Sequence, residues 1–219
     1  MLAQRPQVEL LEKNKPRQDR AKRTYEAILK AASELLVEVG VERISTNLIA
    51  ERAGITVPAL YRYFPNKYAV LNALGAVLMD RQNAVFNTWF DSHMDGGEPQ
   101  ELLDSVYELL KNTYDVTREQ TGGIEVLQAL RAVAPLQEGR LEAHRLIAGQ
   151  FADIISLALA RPVDDSIIAV SRLTVESGYA IVELVLEDET LPTEHLLREG
   201  ARMVEAYWQV FLAPSQAPE

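Results

Sequence analysis

A glycine and a proline four residues apart, inside a run of helix-forming residues, constrain this chain more than any other feature. The run is Thr46-Asn47-Leu48-Ile49-Ala50-Glu51-Arg52-Ala53-Gly54-Ile55-Thr56-Val57-Pro58-Ala59-Leu60-Tyr61-Arg62-Tyr63-Phe64-Pro65-Asn66-Lys67. Ser45 or Thr46 supplies the N-cap of a first short helix, because a hydroxyl can accept from its free backbone N–H groups. Leu48, Ile49 and Ala53 form the apolar face of that helix at helical spacing. Gly54 follows, where a left-handed backbone is cheapest for a residue without Cβ. Thr56 can cap a second helix, and Pro58 fits its first turn, where a missing N–H breaks no bond. Leu60 and Phe64, four apart, turn back onto the first helix. That leaves Pro58, Tyr61 and Arg62 facing outward, with Val57 and Tyr63 at the flanks. The pattern is a helix-turn-helix, whose second helix can enter a DNA major groove.

A surface helical corner with no partner would show the same spacing, so the neighbours matter. The outward face carries hydroxyl, aromatic and guanidinium groups suited to phosphates and base edges. Asn66 is placed to cap a further helix. Lys67 then lies at the positive end of that helix dipole, an unfavourable site unless a phosphate faces it. A long amphipathic helix from about Arg20 to Val39 precedes the motif, with Ile28, Ala32, Leu35, Leu36 and Val39 on one face. Gly40 ends it, and the three helices together make a bundle of the size of a DNA-reading head.

The stretch Gly54 to Lys67, with its order Leu-Tyr-x-x-Phe-x-x-Lys, resembles the signature of the TetR family of one-component transcriptional regulators. The resemblance covers roughly Arg20 to Leu74. It implies phosphate contacts at Thr46, Tyr61 and Lys67, and base-edge positions at Asn47, Thr56, Val57, Pro58 and Ala59. Tyr63 stands where relatives often have histidine. Arg23 and Arg62 complete the expected DNA-binding set. The resemblance further implies a linking helix after Lys67 and a C-terminal body with an effector pocket, whose occupancy separates two heads.

Charge is divided along the chain in a way that suits this reading. The net charge is −10, yet residues 1–67 hold 12 Lys and Arg against 8 Asp and Glu, a net of +4. The remaining residues hold 10 against 24, a net of −14. A positive head attracts DNA and an acidic remainder limits indiscriminate binding. The cluster Lys13, Lys15, Arg17, Arg20, Lys22 and Arg23 is either a basic arm against the DNA backbone or a solubilising tail. The expected organisation is a flexible basic arm over 1–16, a helix-turn-helix domain over 17–66, and a helical effector-binding and dimerisation domain over 67–219.

The rest of the chain keeps a helical period, so the fold class is all-α with about nine helices. A linking helix runs from Lys67 toward Trp89, and Asp91 to Pro99 reads as a loop. Further helices fall at about Gln100–Gln120, Gly123–Ala134, Gln137–Leu159, Asp164–Glu187 and Thr193–Leu212. Of the last two helices, Asp164–Glu187 is apolar almost all round and must be buried on more than one side, while Thr193–Leu212 adds Leu196, Leu197, Met203, Val204, Tyr207 and Phe211. They are expected to pair as a four-helix bundle across a two-fold axis, through Leu173, Ser177, Gly178, Ile181, Leu184, Val204, Tyr207 and Phe211. A homodimer would set two heads roughly 34–36 Å apart, the spacing of a palindromic operator in double-stranded DNA.

Candidate effector-lining residues are Trp89, Phe90, His93, Tyr107, Tyr114, Arg131, His144 and Phe151. Arg131 stands out because a guanidinium in an apolar stretch wants an anionic or carbonyl partner. Enzyme readings find little support. His93, His144 and His195 lie far apart without metal-ligand spacing, and there is no thiol, phosphate loop or nucleophile elbow. No metal or cofactor is expected. With no cysteine, no secretory signal and no apolar run long enough for a membrane span, the expected location is cytoplasmic. A homodimeric, ligand-relieved repressor is the first expectation. The second is a helical ligand- or protein-binding adaptor without specific DNA readout.

Overall fold

A computed structural model describes residues 9–13, 18–94 and 105–213, apart from the side chains of His93 and Met94. Among the described residues there are nine α-helices and no strand. They are α1 (Asp19–Arg43), α2 (Thr46–Arg52), α3 (Val57–Leu60), α4 (Lys67–Met94), α5 (Val106–Glu119), α6 (Gly123–Ala132), α7 (Gln137–Ala158), α8 (Asp165–Glu187) and α9 (Thr193–Leu212). A short 3-10 turn, Ala134–Leu136, absorbs Pro135 between α6 and α7. The all-α expectation holds. Residues 1–8, 14–17, 95–104 and 214–219 lie outside the described set, and with them most of the expected basic arm and of the Asp91–Pro99 loop. Residues 91–94 are helical rather than loop, because α4 continues to Met94.

The chain divides into two compact units. The first comprises residues 1–80 and 117–142, and the second comprises 81–116 and 143–219. In the first unit α1 is the central brace. Its face of Ile28, Ala32, Leu35 and Leu36 is buried, and α2 and α6 both pack against this helix. The helix proper ends at Gly40, whose φ of 73° turns the chain into a separate last turn. That left-handed conformation is open to glycine with little penalty. The second glycine of the Gly122-Gly123 pair is required by space instead. A Cβ on Gly123 would lie 2.1 Å from the Thr117 carbonyl oxygen, so only glycine lets the chain close from α5 into α6.

The second unit has its own core, built from Phe86, Trp89, Leu110, Phe151, Ile155, Ile167, Val182, Leu197 and Trp208 among others. Asp164 caps α8 by accepting from the Ile167 N–H at 3.0 Å. It is itself held by the Arg161 guanidinium at 2.6 Å. The α8 and α9 helices pack closely together. The close approach is made by Gly200, where an added Cβ would meet Ile181 at 2.7 Å. Small residues on α8 were expected to admit a second chain. Gly178 instead faces Leu110 of its own unit, at 3.5 Å from an ideal Cβ position. Val204 is likewise buried in its own core at 5% exposure. Gly178 and Val204 thus have contacts within their own unit. Leu173, Leu184 and Tyr207 remain exposed, and Ser177, Ile181 and Phe211 are half-buried.

Candidate nucleic-acid interface and ligand cavity

In the first unit, the turn between α2 and α3 forms as local sequence chemistry requires. Ser45, not Thr46, caps α2, accepting from Leu48 N–H at 3.3 Å. Gly54 adopts φ 66° and closes the helix. Thr56 occupies the N-cap of α3 but its side chain makes no capping bond, so its hydroxyl stays at the surface. Leu60 and Phe64 are fully buried, and the Phe64 ring stacks on Tyr25 of α1 at 5.2 Å. Leu48 departs from expectation: it is 37% exposed, and Ala50 takes the buried place beside Ile49. A one-residue rotation of a two-turn helix is enough to exchange them.

The outward face brings most of the expected residues together. Asn47, Thr56, Pro58, Tyr61 and Arg62 are exposed, and Thr46, Val57, Ala59 and Tyr63 are half-buried beside them. The Thr46 hydroxyl lies 3.2 Å from the Tyr61 hydroxyl, which joins the start of α2 to the end of α3. Arg23 is exposed on α1. Arg52 is not part of this face. It holds Glu38 of α1 through two bonds of 2.8 and 2.6 Å and reaches Glu34 at 3.5 Å. That pairing keeps the Glu38 carboxyl below its ordinary range, through the hydrogen bond from Arg52 foremost.

Lys67 has partners within the head itself. Its ammonium donates to the backbone carbonyls of Val41, Glu42 and Ile44 at 3.2, 3.4 and 3.1 Å. These are the carbonyls left at the end of α1 and in the link to α2, which attract a cation. The lysine therefore has a reason to stand at the start of α4 without any phosphate. Asn66 caps α4 as expected, accepting from Ala69 N–H at 3.0 Å. The same amide donates to the Glu9 carbonyl at 2.9 Å, and Lys13 N–H donates to the Tyr63 carbonyl at 2.8 Å. Tyr25 closes the clip by donating to Glu12 at 2.5 Å. Burial first, and then this bond, push the Tyr25 phenol far above its usual value. Residues 9–13 are thus fastened along the head, a contact that no local pattern announces.

The second unit contains a cavity of about 70 Å³. Trp89 and Phe151 of the expected lining do face it, together with Gln82, Phe86, Leu110, Thr113, Thr174, Val175, Gly178, Tyr179 and Trp208. Phe90 and Tyr107 pack against the surrounding core, and Tyr114 is buried within it. Tyr107 bonds Glu194 at 2.5 Å, which raises its phenol above the usual value. His144 stands one layer back. It is buried, bonds Glu176 at 3.1 Å and stacks on Tyr179 at 4.2 Å. Arg131 belongs to the first unit and is exposed at the end of α6, so it has no part in this cavity. The side chain of His93 lies outside the described residues. Tyr179 and Trp208 escaped sequence reading because both look like ordinary positions on an apolar helix.

Among the described residues no group of His, Asp and Glu could hold a metal ion. No helix there is long and apolar enough to cross a membrane.

Comparison with known proteins agrees with this geometry. The profile described as "Bacterial regulatory proteins, tetR family" matches residues 28–74. The class C tetracycline repressor of Escherichia coli is 46% identical over 54 residues, which cover 25% of each chain. The match to that repressor thus spans only a quarter of its length. An uncharacterized HTH-type transcriptional regulator of Mycobacterium tuberculosis is 28% identical over 187 residues, covering 82% of this chain and 92% of its own. Among solved structures, a TetR-family transcriptional regulator from Streptomyces coelicolor superposes with a TM-score of 0.54 at 25% identity, covering 85% of this chain and 98% of that one. A TetR-family regulator from Syntrophomonas wolfei gives a TM-score of 0.66 at 14% identity over 90% of this chain and 99% of that one, a likeness of fold. The helix-turn-helix head thus matches the TetR family of bacterial regulatory proteins over residues 28–74, and the all-helical chain as a whole shares the fold of TetR-family transcriptional regulators.

Proposed function

We propose that the protein is a homodimeric repressor of a palindromic operator, released by a small-molecule effector bound in the second unit, and that it acts by binding rather than catalysis. The observation that carries the reading is the hydroxyl pair Thr46–Tyr61, set in an exposed face with Asn47, Thr56, Pro58 and Arg62. Two hydroxyls and a guanidinium at the rim suit phosphate oxygens, and the amide, methyl and ring surfaces between them suit base edges. Arg23 on α1 suits a flanking phosphate. Lys67 serves as an internal brace of this face. The division at residues 1–16, 17–66 and 67–219, and a cytoplasmic location, belong to the same proposal.

Dimerisation is supported by an apolar surface on α8 and α9. Leu173 is 54% exposed, Leu184 47%, Met203 56%, Tyr207 41% and Val210 77%. Exposed large apolar residues clustered on two neighbouring helices mark an association surface, and helices paired across a two-fold axis would cover it. Ser177, Ile181 and Phe211 flank it.

Selection of bound duplexes from a random pool by the full chain tests the reading. Enrichment of a palindrome is expected. No enrichment at low salt would overturn it in favour of a helical adaptor. With the selected duplex, Thr46→Val and Tyr61→Phe should weaken binding to all sequences alike. Asn47→Ala and Val57→Ala should change sequence preference, at about 1–3 kcal/mol per misread base pair.

A further inference from the structure

We infer, building on the reading that the second-unit cavity receives the effector, that this effector is an uncharged aromatic molecule with at most one or two hydroxyl- or carbonyl-type groups. Five aromatic rings face the cavity: Phe86, Trp89, Phe151, Tyr179 and Trp208. Four of them form a connected set, with Phe86–Phe151 at 5.2 Å, Phe86–Trp89 at 5.7 Å and Phe151–Trp208 at 5.3 Å between ring centres. Rings at these separations take a further ring in offset or edge contact.

The polar chemistry of the wall excludes ions. None of the lining residues is charged. Both indole N–H groups are committed inside the protein. Trp89 donates to the Ser105 hydroxyl at 2.8 Å and its carbonyl at 3.1 Å, and Trp208 donates to Thr174 at 2.7 Å. The Thr113 hydroxyl donates to the Leu109 carbonyl at 2.8 Å. The remaining polar groups of the wall are neutral: the Gln82 amide and the Tyr179 phenol, whose ring is fixed from behind by the stacked His144. A carboxylate or ammonium entering here would lose its water with no opposite charge to meet it. A neutral hydroxyl would lose much less and gain one bond.

Size adds a second condition. The cavity of about 70 Å³ is smaller than the roughly 150 Å³ pocket that accepts a benzene ring in an engineered protein. Even a single-ring ligand therefore has to push the aromatic walls outward. Entry of the right molecule then reports itself, because both tryptophans of the chain stand in that wall.

Tryptophan emission of the full-length protein, titrated near neutral pH, tests the inference. The probes are a matched set: para-chlorobenzyl alcohol, para-chlorobenzoate, para-chlorobenzylammonium and para-chlorotoluene. The alcohol is expected to give a saturable change, with the two ions roughly 100-fold or more weaker. Tyr179→Phe should weaken the alcohol about five- to tenfold and leave the toluene unchanged. An ion that binds as tightly as the alcohol overturns the inference, and so does the absence of a saturable change with any probe. Equal losses for alcohol and toluene in Tyr179→Phe remove the phenol from ligand contact and overturn the hydroxyl part. Duplex binding measured separately keeps the two readings apart. A protein that selects a palindrome but prefers ions refutes only the effector class, whereas one that selects no duplex refutes the regulator.

Discussion

Replacing Lys67 by methionine separates two roles that a basic residue at a DNA-reading head can have. Methionine keeps the length and apolar cover of the stem while deleting the ammonium. In the structure that ammonium meets the carbonyls of Val41 and Ile44, both part-buried, and of Glu42 at the surface. Water can replace the lysine at Glu42 but not readily at the other two. Two part-buried bonds at about 1 kcal/mol each give a loss of about 2 kcal/mol. For a chain of this length that corresponds to a fall in Tm of roughly 4–8 °C. Thermal melting of the Lys67→Met protein measures it. The companion assay is duplex affinity against salt, well below both melting transitions. Because the ammonium is engaged by the head, the slope of log affinity against log salt should match that of the parent. A phosphate contact would instead reduce that slope by about 0.9. Unchanged melting with a slope lowered by about that amount would refute the brace.

Two further tests probe packing and charge. Gly123→Ala should destabilise more than Gly200→Ala. The first pushes a methyl into the Thr117 carbonyl at 2.1 Å, and the second meets the movable Ile181 side chain at 2.7 Å; about 1–3 kcal/mol is expected for the second, read from urea unfolding. Glu38→Gln should cost stability at neutral pH and low salt only. The Glu38 carboxyl is held below its ordinary value by Arg52, so its contribution is present above the unfolded carboxylate range and is lost as pH falls through the folded value. Parent and variant should therefore converge in acid and at high salt, and a difference that persists in both would contradict the ion pair.

What could be read from sequence was what depends on near neighbours. The left-handed Gly54, the Asn66 cap and the buried Leu60 and Phe64 each follow from residues within about one turn. Lys67 could not be read that way, because its partners lie 23 to 26 positions earlier in the chain. Its position at a positive helix end looked like evidence for a phosphate until those carbonyls supplied the negative charge. The cavity was half legible for a similar reason. Trp89 and Phe151 announce themselves by size, whereas Tyr179 and Val175 depend on which face of α8 turns inward. Small residues show the same limit: Gly178 and Gly200 are alike in sequence, and only the register of α8 against α9 makes Gly200 the point of contact between those two helices.

The unit that bears the reading face is assembled from two separate stretches, 1–80 and 117–142. Within it, α1 packs against α6, Gly122 comes close to the Ser33 carbonyl, and Gly75 lies against Leu130. A reading head cut out at residue 80 would leave those surfaces of α1 and α4 bare to water. Recombination that exchanges only the N-terminal third would join a new α1 to an inherited α6, so a chimera of two such regulators needs both crossover points. The face formed by α2 and α3 is consequently not a detachable cassette. Its surface chemistry is better altered by point changes on the outer side of α2 and α3 than by swapping the segment whole.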